Sequence, residues 1–390
     1  MRRLVIVSAL CVLTVAACEK TPPLSPLTLP YGTVAITVTS DGGAPPWHLI
    51  GPAEIDTSGS GTMWLHDMPV GNYQITWLYL PGCLQPTDNE EARALANGDT
   101  IEFSQHYDRI RQVTNDGENR NPTFNKDASA PRLAFLSDRD GLFDIWIATD
   151  DIAQPIKVTS NPRGEIRGFD WSRTNQQFIF DSDRDDNCCN LYVVNVSTGT
   201  EAQLYFLCSL GYTPGCFYYP RWSAVSDEII FLWWPCFSSC DYNAGDVIKA
   251  PSAGDYCERI LSLPDGVHHL AWSRDTTSMA YIYDDEGLLT YDQVAMTHLG
   301  TTTVSWVTLS PGNKSYPCWS PDGTHICYTS DETGNRDLWI INVDGDGIVQ
   351  LTTDEADDWS PSWSADGRAI AFISERDGSR DIYLVGVPEL

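Results

Sequence analysis

Residues 360–384 read SPSWSADGRAIAFISERDGSRDIYL, and six residues later the chain stops at Leu390. The unit before it, residues 315–352, reads SYPCWSPDGTHICYTSDETGNRDLWIINVDGDGIVQLT. Both have the same order of parts: an aromatic residue followed by a small polar one, a turn, an apolar run, an acidic turn and a second apolar run. The runs are rich in Ile, Val, Tyr, Phe and Trp and are bounded by turn residues, so they read as strands. The earlier unit continues to Val349-Gln350-Leu351-Thr352, and the last unit has no counterpart to it. The final unit is one strand short, and the source of that strand decides the fold.

Alignment on the aromatic residue gives Phe124, Trp171, Trp222, Trp272, Trp319 and Trp363, at spacings of 47, 51, 50, 47 and 44. Asn125 or a serine follows each one (Ser172, Ser223, Ser273, Ser320, Ser364). An aspartate recurs three positions after it at Asp127, Asp275, Asp322 and Asp366, and Thr174 and Val225 break the rule. Repeats of this length, with about four strands each and no sustained helical periodicity, are the signature of a propeller. Just before the first aromatic stands Arg111-Gln112-Val113-Thr114, which matches both Val349–Thr352 and Ile156–Thr159. Residues 109–114 are therefore expected to lie beside residues 381–387 as the outer strand of the last unit. Such closure removes two open sheet edges.

The unit P-x-W-S-x-D-G-x-x-I-A-F-x-S-x-R-D-G-x-x-D-I-Y…L-T resembles the TolB-type β-propeller repeat. The resemblance spans residues 109–390. It is closest in the fifth and sixth units and looser in the third and fourth. Residues 31–108 differ in character. TVAITVTS (33–40) alternates like a half-buried strand, MPVGNYQITW (68–77) is a turn and a strand, and GDTIEF (98–103) is another strand. Six or seven short strands in so few residues suggest a small sandwich, and the MPVGNYQITW element resembles PEGA-like and carboxypeptidase-regulatory-like β-domains. The expected fold is all-β, a six-bladed TolB-like β-propeller at 109–390 preceded by a small β-sandwich at 31–108. TolB itself carries a mixed α/β domain before its propeller, so a role in the Tol envelope system does not carry over.

The first eighteen residues, MRRLVIVSALCVLTVAAC, have a basic start, an apolar run and small residues before a cysteine. That is the layout of an export signal, too short for an ordinary membrane span. Its end, Val15-Ala16-Ala17-Cys18, resembles a bacterial lipobox, which implies lipidation at Cys18; the alternative is an ordinary secretion signal with an incidental cysteine. Residues 19–30, with four prolines, read as an extended tether. Glu19 after the cysteine implies the outer membrane in proteobacterial-type lipoproteins. The chain is then held at the membrane through lipid alone and acts as a monomer. Its formal charge of −29 becomes −31 once Arg2 and Arg3 are removed. A field of that sign repels phosphate backbones, so nucleic acid is an unfavourable partner.

No G-x-S-x-G elbow is present, and the seven histidines are scattered. His268 and His269 fall in the connection just before the first strand of the fourth unit, near the expected channel, where structural filler outweighs a metal site. The turn containing Asp181, Asp183 and Asp185 offers several oxygens to a hard cation such as Ca2+, though it lacks the glycine and distal glutamate of an EF-hand; tight-turn formation is the plainer reading. Propeller topology places Cys188, Cys189, Cys208, Cys216, Cys236 and Cys240 on one face around the second and third units. Cys208–Cys216 and Cys236–Cys240 are the preferred disulfides there, and Cys318 and Cys327 can face each other across adjacent strands; connectivity does not follow from sequence. Tyr212, Phe217, Tyr218, Trp233, Trp234, Phe237 and Tyr242 accompany the first six cysteines. They are the candidate binding surface, against the alternative that they fill the gap between blades. The leading reading is a non-catalytic scaffold for an envelope protein, peptide or glycan, with no catalytic residue and no cofactor. The rivals are a metal-assisted lyase or glycan-active enzyme in the channel and a purely structural spacer.

Overall fold

The structure, a computed structural model, describes the chain outside residues 1–30, 41–43, 79, 81–82, 85–89, 150–153, 161–163, 186–188, 207–214, 236–244, 255, 264–265, 285–289 and 302. The export signal, Cys18 and the tether lie outside the described residues. Every regular element described is a strand.

Residues 31–107 form two sheets. In one, Tyr31–Ser40 lies between Met63–Pro69 and Thr100–Tyr107, antiparallel to the first and parallel to the second. The other has four antiparallel strands, with Pro46–Gly51 and Gly71–Trp77 at its centre. Strand alternation drives one face of each inward: Tyr73, Ile75 and Trp77 are buried and their neighbours Asn72 and Gln74 are not. They share one core with Val34, Ile36, Trp47, Phe103 and Tyr107.

The remainder forms six four-stranded antiparallel sheets. Five are meanders in chain order. The sixth runs Asp358–Trp363, Ala369–Ser374, Asp381–Gly386 and then Ile110–Gln112, whose register sets Gln112 opposite Tyr383 and Ile110 opposite Val385. This is the strand the last sequence unit is short of, delivered from the other end of the repeat region.

Each pair of successive sheets encloses its own hydrophobic cluster. The first and second share Ile145, Phe169, Trp171 and Phe178. The last and first share Val113, Phe135, Trp146 and Ile382, so the sheets close into a ring. Each large apolar side chain so buried contributes roughly 1.5–3 kcal/mol.

Two side-chain devices account for the repeated letters. The serine after the aromatic caps the first turn. Ser320 Oγ accepts from His325 N at 2.9 Å and donates to Asp322 Oδ1 at 2.6 Å, and Ser364 does the same with Ala369 and Asp366. The terminal threonine clasps the outer strand to the third one. Thr352 Oγ1 donates to Asp337 and accepts from Leu338 N, and Thr159 repeats this with Asp144 and Ile145. Thr114 repeats it with Asp381 and Ile382, joining residues more than 260 positions apart. In the fourth sheet Thr308 uses Gln293 in place of the aspartate.

Candidate functional site

The innermost strand of every sheet is interrupted where it meets the second strand: the register slips once in each of the six. Such bulges bend a strand and re-aim its side chains. Three residues before the repeated aromatic, five of the six carry a non-glycine residue in the left-handed region: Asn121, Tyr219, His269, Tyr316 and Ser360, with φ between 48° and 56°. Each such residue costs about 1–3 kcal/mol. In the second sheet the position is Gly168, where a Cβ would meet Tyr219 Cα at 3.0 Å and Asp181 Oδ2 at 3.2 Å. Prolines follow at Pro122, Pro220, Pro317 and Pro361, consistent with a bulge that needs no N–H from that residue. These six positions ring a central cavity of about 440 Å3 that all six inner strands line.

Asp181, on the second strand of the second sheet, braces two of the bulges. Its Oδ1 accepts from Arg167 N (2.9 Å) and Gly168 N (3.0 Å), and its Oδ2 accepts from Tyr219 N (2.8 Å). The side chain is fully buried. Burial pushes its pKa up to about 6, and the three backbone donors hold it from going further.

The chain is strongly acidic, yet five cations and only two carboxylates line the cavity. Arg120 and Arg167 lie toward one end, paired with Glu165, and Arg167 also with Asp183. At the other end Lys126 Nζ reaches from the first sheet to Asp170 Oδ2 and to the carbonyls of Trp171 and Trp222, each at 2.6 Å. Burial pushes the Lys126 ammonium down; Asp170 opposes this, and the charges of Arg221 and Arg274 add to it. Arg274 crosses from the fourth sheet to the carbonyls of Lys126 (2.8 Å) and Ala365 (3.3 Å). Arg221 Nη1 is held by Phe169 O at 2.7 Å. Among the described residues neither Arg221 nor Arg274 forms an ion pair.

His269 packs against Tyr316 with ring centroids 4.0 Å apart and the planes tilted by 32°. Burial, then the charges of His268 and Arg336, lower its pKa to about 4, so the imidazole is neutral at pH 7. Its Nδ1 is buried without a hydrogen-bond partner among the described residues. His268 and His269 both belong to the inner strand Val267–Trp272 itself, rather than to the connection before it.

Residues 260–389 match the family model described as the TolB beta propeller domain. The repeat region is a β-propeller, and over these residues it is TolB-like. An uncharacterized protein of Agrobacterium fabrum is 30% identical to this chain over 138 residues, which cover 35% of this chain and 41% of that protein's length. Among solved structures, TolB from Acinetobacter baumannii is 16% identical, over 83% of this chain and 66% of that one, with a TM-score of 0.49. A gluconolactonase from Xanthomonas campestris is 12% identical, over 72% and 89%, with a TM-score of 0.53. At such identities the likeness is one of fold alone.

Several residues singled out from sequence have other duties in this propeller. The second strand of the third sheet runs on to Pro235, so Trp233 and Trp234 alternate within it. Trp233 is buried between the second and third sheets, and Phe217 packs edge-on against Phe231 in the same core. Trp234 packs against Tyr218 between the third and fourth sheets. Blade filling, rather than a surface patch, is the role of these four. Tyr212, Phe237, Tyr242, Cys188, Cys208, Cys236 and Cys240 lie outside the described residues. Cys189 is a buried thiol against Arg167 Nη1 (2.5 Å), and Cys216 is buried at the start of the neighbouring inner strand. Cys318 and Cys327 are direct cross-strand partners, but both are thiols, and Cys318 Sγ accepts from Trp363 N at 3.3 Å.

The carboxylates of the suggested calcium turn do not converge. Asp181 faces backbone donors, Asp183 accepts from Glu165 N and Arg167, and Asp185 accepts from the Tyr192 hydroxyl. Among the described residues no group of three or more His, Cys, Asp or Glu side chains is placed to hold a metal ion. Sequence reading missed Lys126, Arg221 and Arg274. The available signal was a basic residue one before, or two after, an aligned aromatic, where the repeat faces its own axis.

Proposed function

We propose that this protein is an exported, lipid-anchored binding module. In this reading Cys18 carries the lipid, residues 31–108 are a small β-sandwich, and residues 109–390 are a six-bladed TolB-like propeller. The central cavity is where an envelope partner, a peptide or a glycan engages. One observation carries the reading: bulges from all six inner strands, five of them strained, converge on a cavity with two arginines that no carboxylate among the described residues neutralises. Strain of this kind is retained where a site requires it. Binding is favoured over catalysis because the acid and base at the base of the cavity, Asp170 and Lys126, are locked to each other and to backbone groups.

The test is affinity capture from cross-linked cells with the wild type, Tyr219→Ala and Arg221→Gln, after each is shown to fold. A partner recovered with the wild type and lost with both variants supports the module. A partner retained by both moves the site away from the cavity, and the absence of any partner favours the spacer.

A channel enzyme is the second reading, favoured by one feature, the neutral and unpartnered Nδ1 of His269. It requires His269→Ala to abolish a turnover that the wild type performs.

A further inference from the structure

We infer that the Arg221–Arg274 end of the cavity is a receptor for a small organic dicarboxylate. The inference rests on the cavity being the ligand site, and adds the chemical class of ligand. Of the five cations lining it, Arg120, Arg167 and Lys126 are each within 4 Å of a carboxylate, and among the described residues Arg221 and Arg274 are not.

Arg221 is half-buried. Its Nη1 is fixed by Phe169 O, which leaves Nε and Nη2 without a protein acceptor among the described residues. A guanidinium presents its donors in a planar fork that matches a carboxylate, and such charge-assisted bidentate pairs are among the strongest polar contacts. Arg274 is anchored by two carbonyls, which orient it without cancelling its charge. On its outer side it borders a groove shared with Asp322 and Asp366, neither of which lies in salt-bridge range.

Both arginines are close enough to Lys126 to depress its pKa, so three positive charges face one carboxylate, Asp170, at this end. Like charges gathered around a single carboxylate repel one another until a counter-charge arrives. Two unpaired arginines call for two negative charges, and a cavity of about 440 Å3 takes a small molecule rather than a folded chain. The tilted ring pair of Tyr316 and His269 supplies an aromatic wall to the same cavity. The rest of the chain is acidic, so the cavity is where an anion gains rather than loses.

Isothermal titration of the full chain in low-chloride buffer at pH 7 tests this with three probes: succinate, its neutral isostere succinamide, and inorganic phosphate. The expected result is saturable succinate binding, at least tenfold weaker binding of succinamide and of phosphate, and at least a tenfold loss in Arg221→Gln. Arg221→Lys keeps the charge and loses the fork, so it should recover only part of that loss. The exposed Arg274→Gln is the variant least exposed to folding defects and should weaken succinate several-fold. No succinate binding by the wild type at 10 mM overturns the assignment. So does binding unchanged in both arginine variants, or phosphate binding as well as succinate. If succinate is silent while cross-linking still traps a partner through Tyr219 and Arg221, the ligand class fails and the binding-module reading stands.

Discussion

At Gly168 the backbone of one inner strand approaches the next so closely that an added Cβ would lie 3.0 Å from Tyr219 Cα, tighter than ordinary contact. Gly168→Ala is therefore expected to destabilise the protein by about 1–3 kcal/mol, the usual cost of overpacking, read as a lowered urea midpoint. Asp181 gives a pH signature. Its folded pKa of about 6 lies above the unfolded value near 3.8, so its contribution to stability is complete below about pH 4 and is lost as pH rises through 6. The wild type's margin over Asp181→Asn should widen by up to about 3 kcal/mol from pH 7 to pH 4, measured by urea unfolding at each pH. A margin that narrows on acidification would contradict this. Residue roles were the least legible part of the sequence. Trp233 and Phe217 read as an aromatic surface because they neighbour Cys236 and Cys216, which read as loop cysteines, whereas both aromatics lie inside strands of the third sheet. Continuing the two-residue alternation through Pro235 turns Trp233 into the core.

At the scale of elements, the letters that recur in sequence are those that recur as hydrogen bonds. The serine cap and the threonine clasp are made by local, repeated pairs, so the strand pattern could be read from one unit to the next. Thr114→Val keeps shape and removes the clasp on Asp381 and Ile382 N, and should cost about 2–3 kcal/mol because buried partners are left unsatisfied. Ser197→Ala, which removes an exposed turn hydroxyl, should cost little. The bulges were not legible. Five of the six bulge positions are left-handed and carry Asn, Tyr, His, Tyr and Ser rather than glycine, and the closed ring, not local propensity, holds them there. The cavity they shape was invisible for the same reason.

For the whole molecule, the sixth sheet takes strands from both ends of the repeat region, so opening it means opening the ring. Amide exchange is expected to show residues 110–114 protected to the same degree as residues 382–386, because Val113 N donates to Ile382 O and Gly386 N to Arg109 O. Faster exchange of 110–114 by orders of magnitude would mean that the ring holds without its closing strand. Ring closure was foreseeable from the unpaired Arg111–Thr114 motif. The charge reversal at the axis was not, since a net charge of −29 averages away five cations that only folding gathers.

The most direct measurement is site-specific photo-crosslinking in living cells, with the probe at Tyr219 inside the cavity mouth and, as a control, at Tyr256, which is 60% exposed away from the cavity lining. The expected result is a discrete adduct from Tyr219 that disappears with Arg221→Gln, and none from Tyr256. Equal adducts from both sites, or an adduct at Tyr219 indifferent to Arg221, would contradict the claim that the cavity is the binding site.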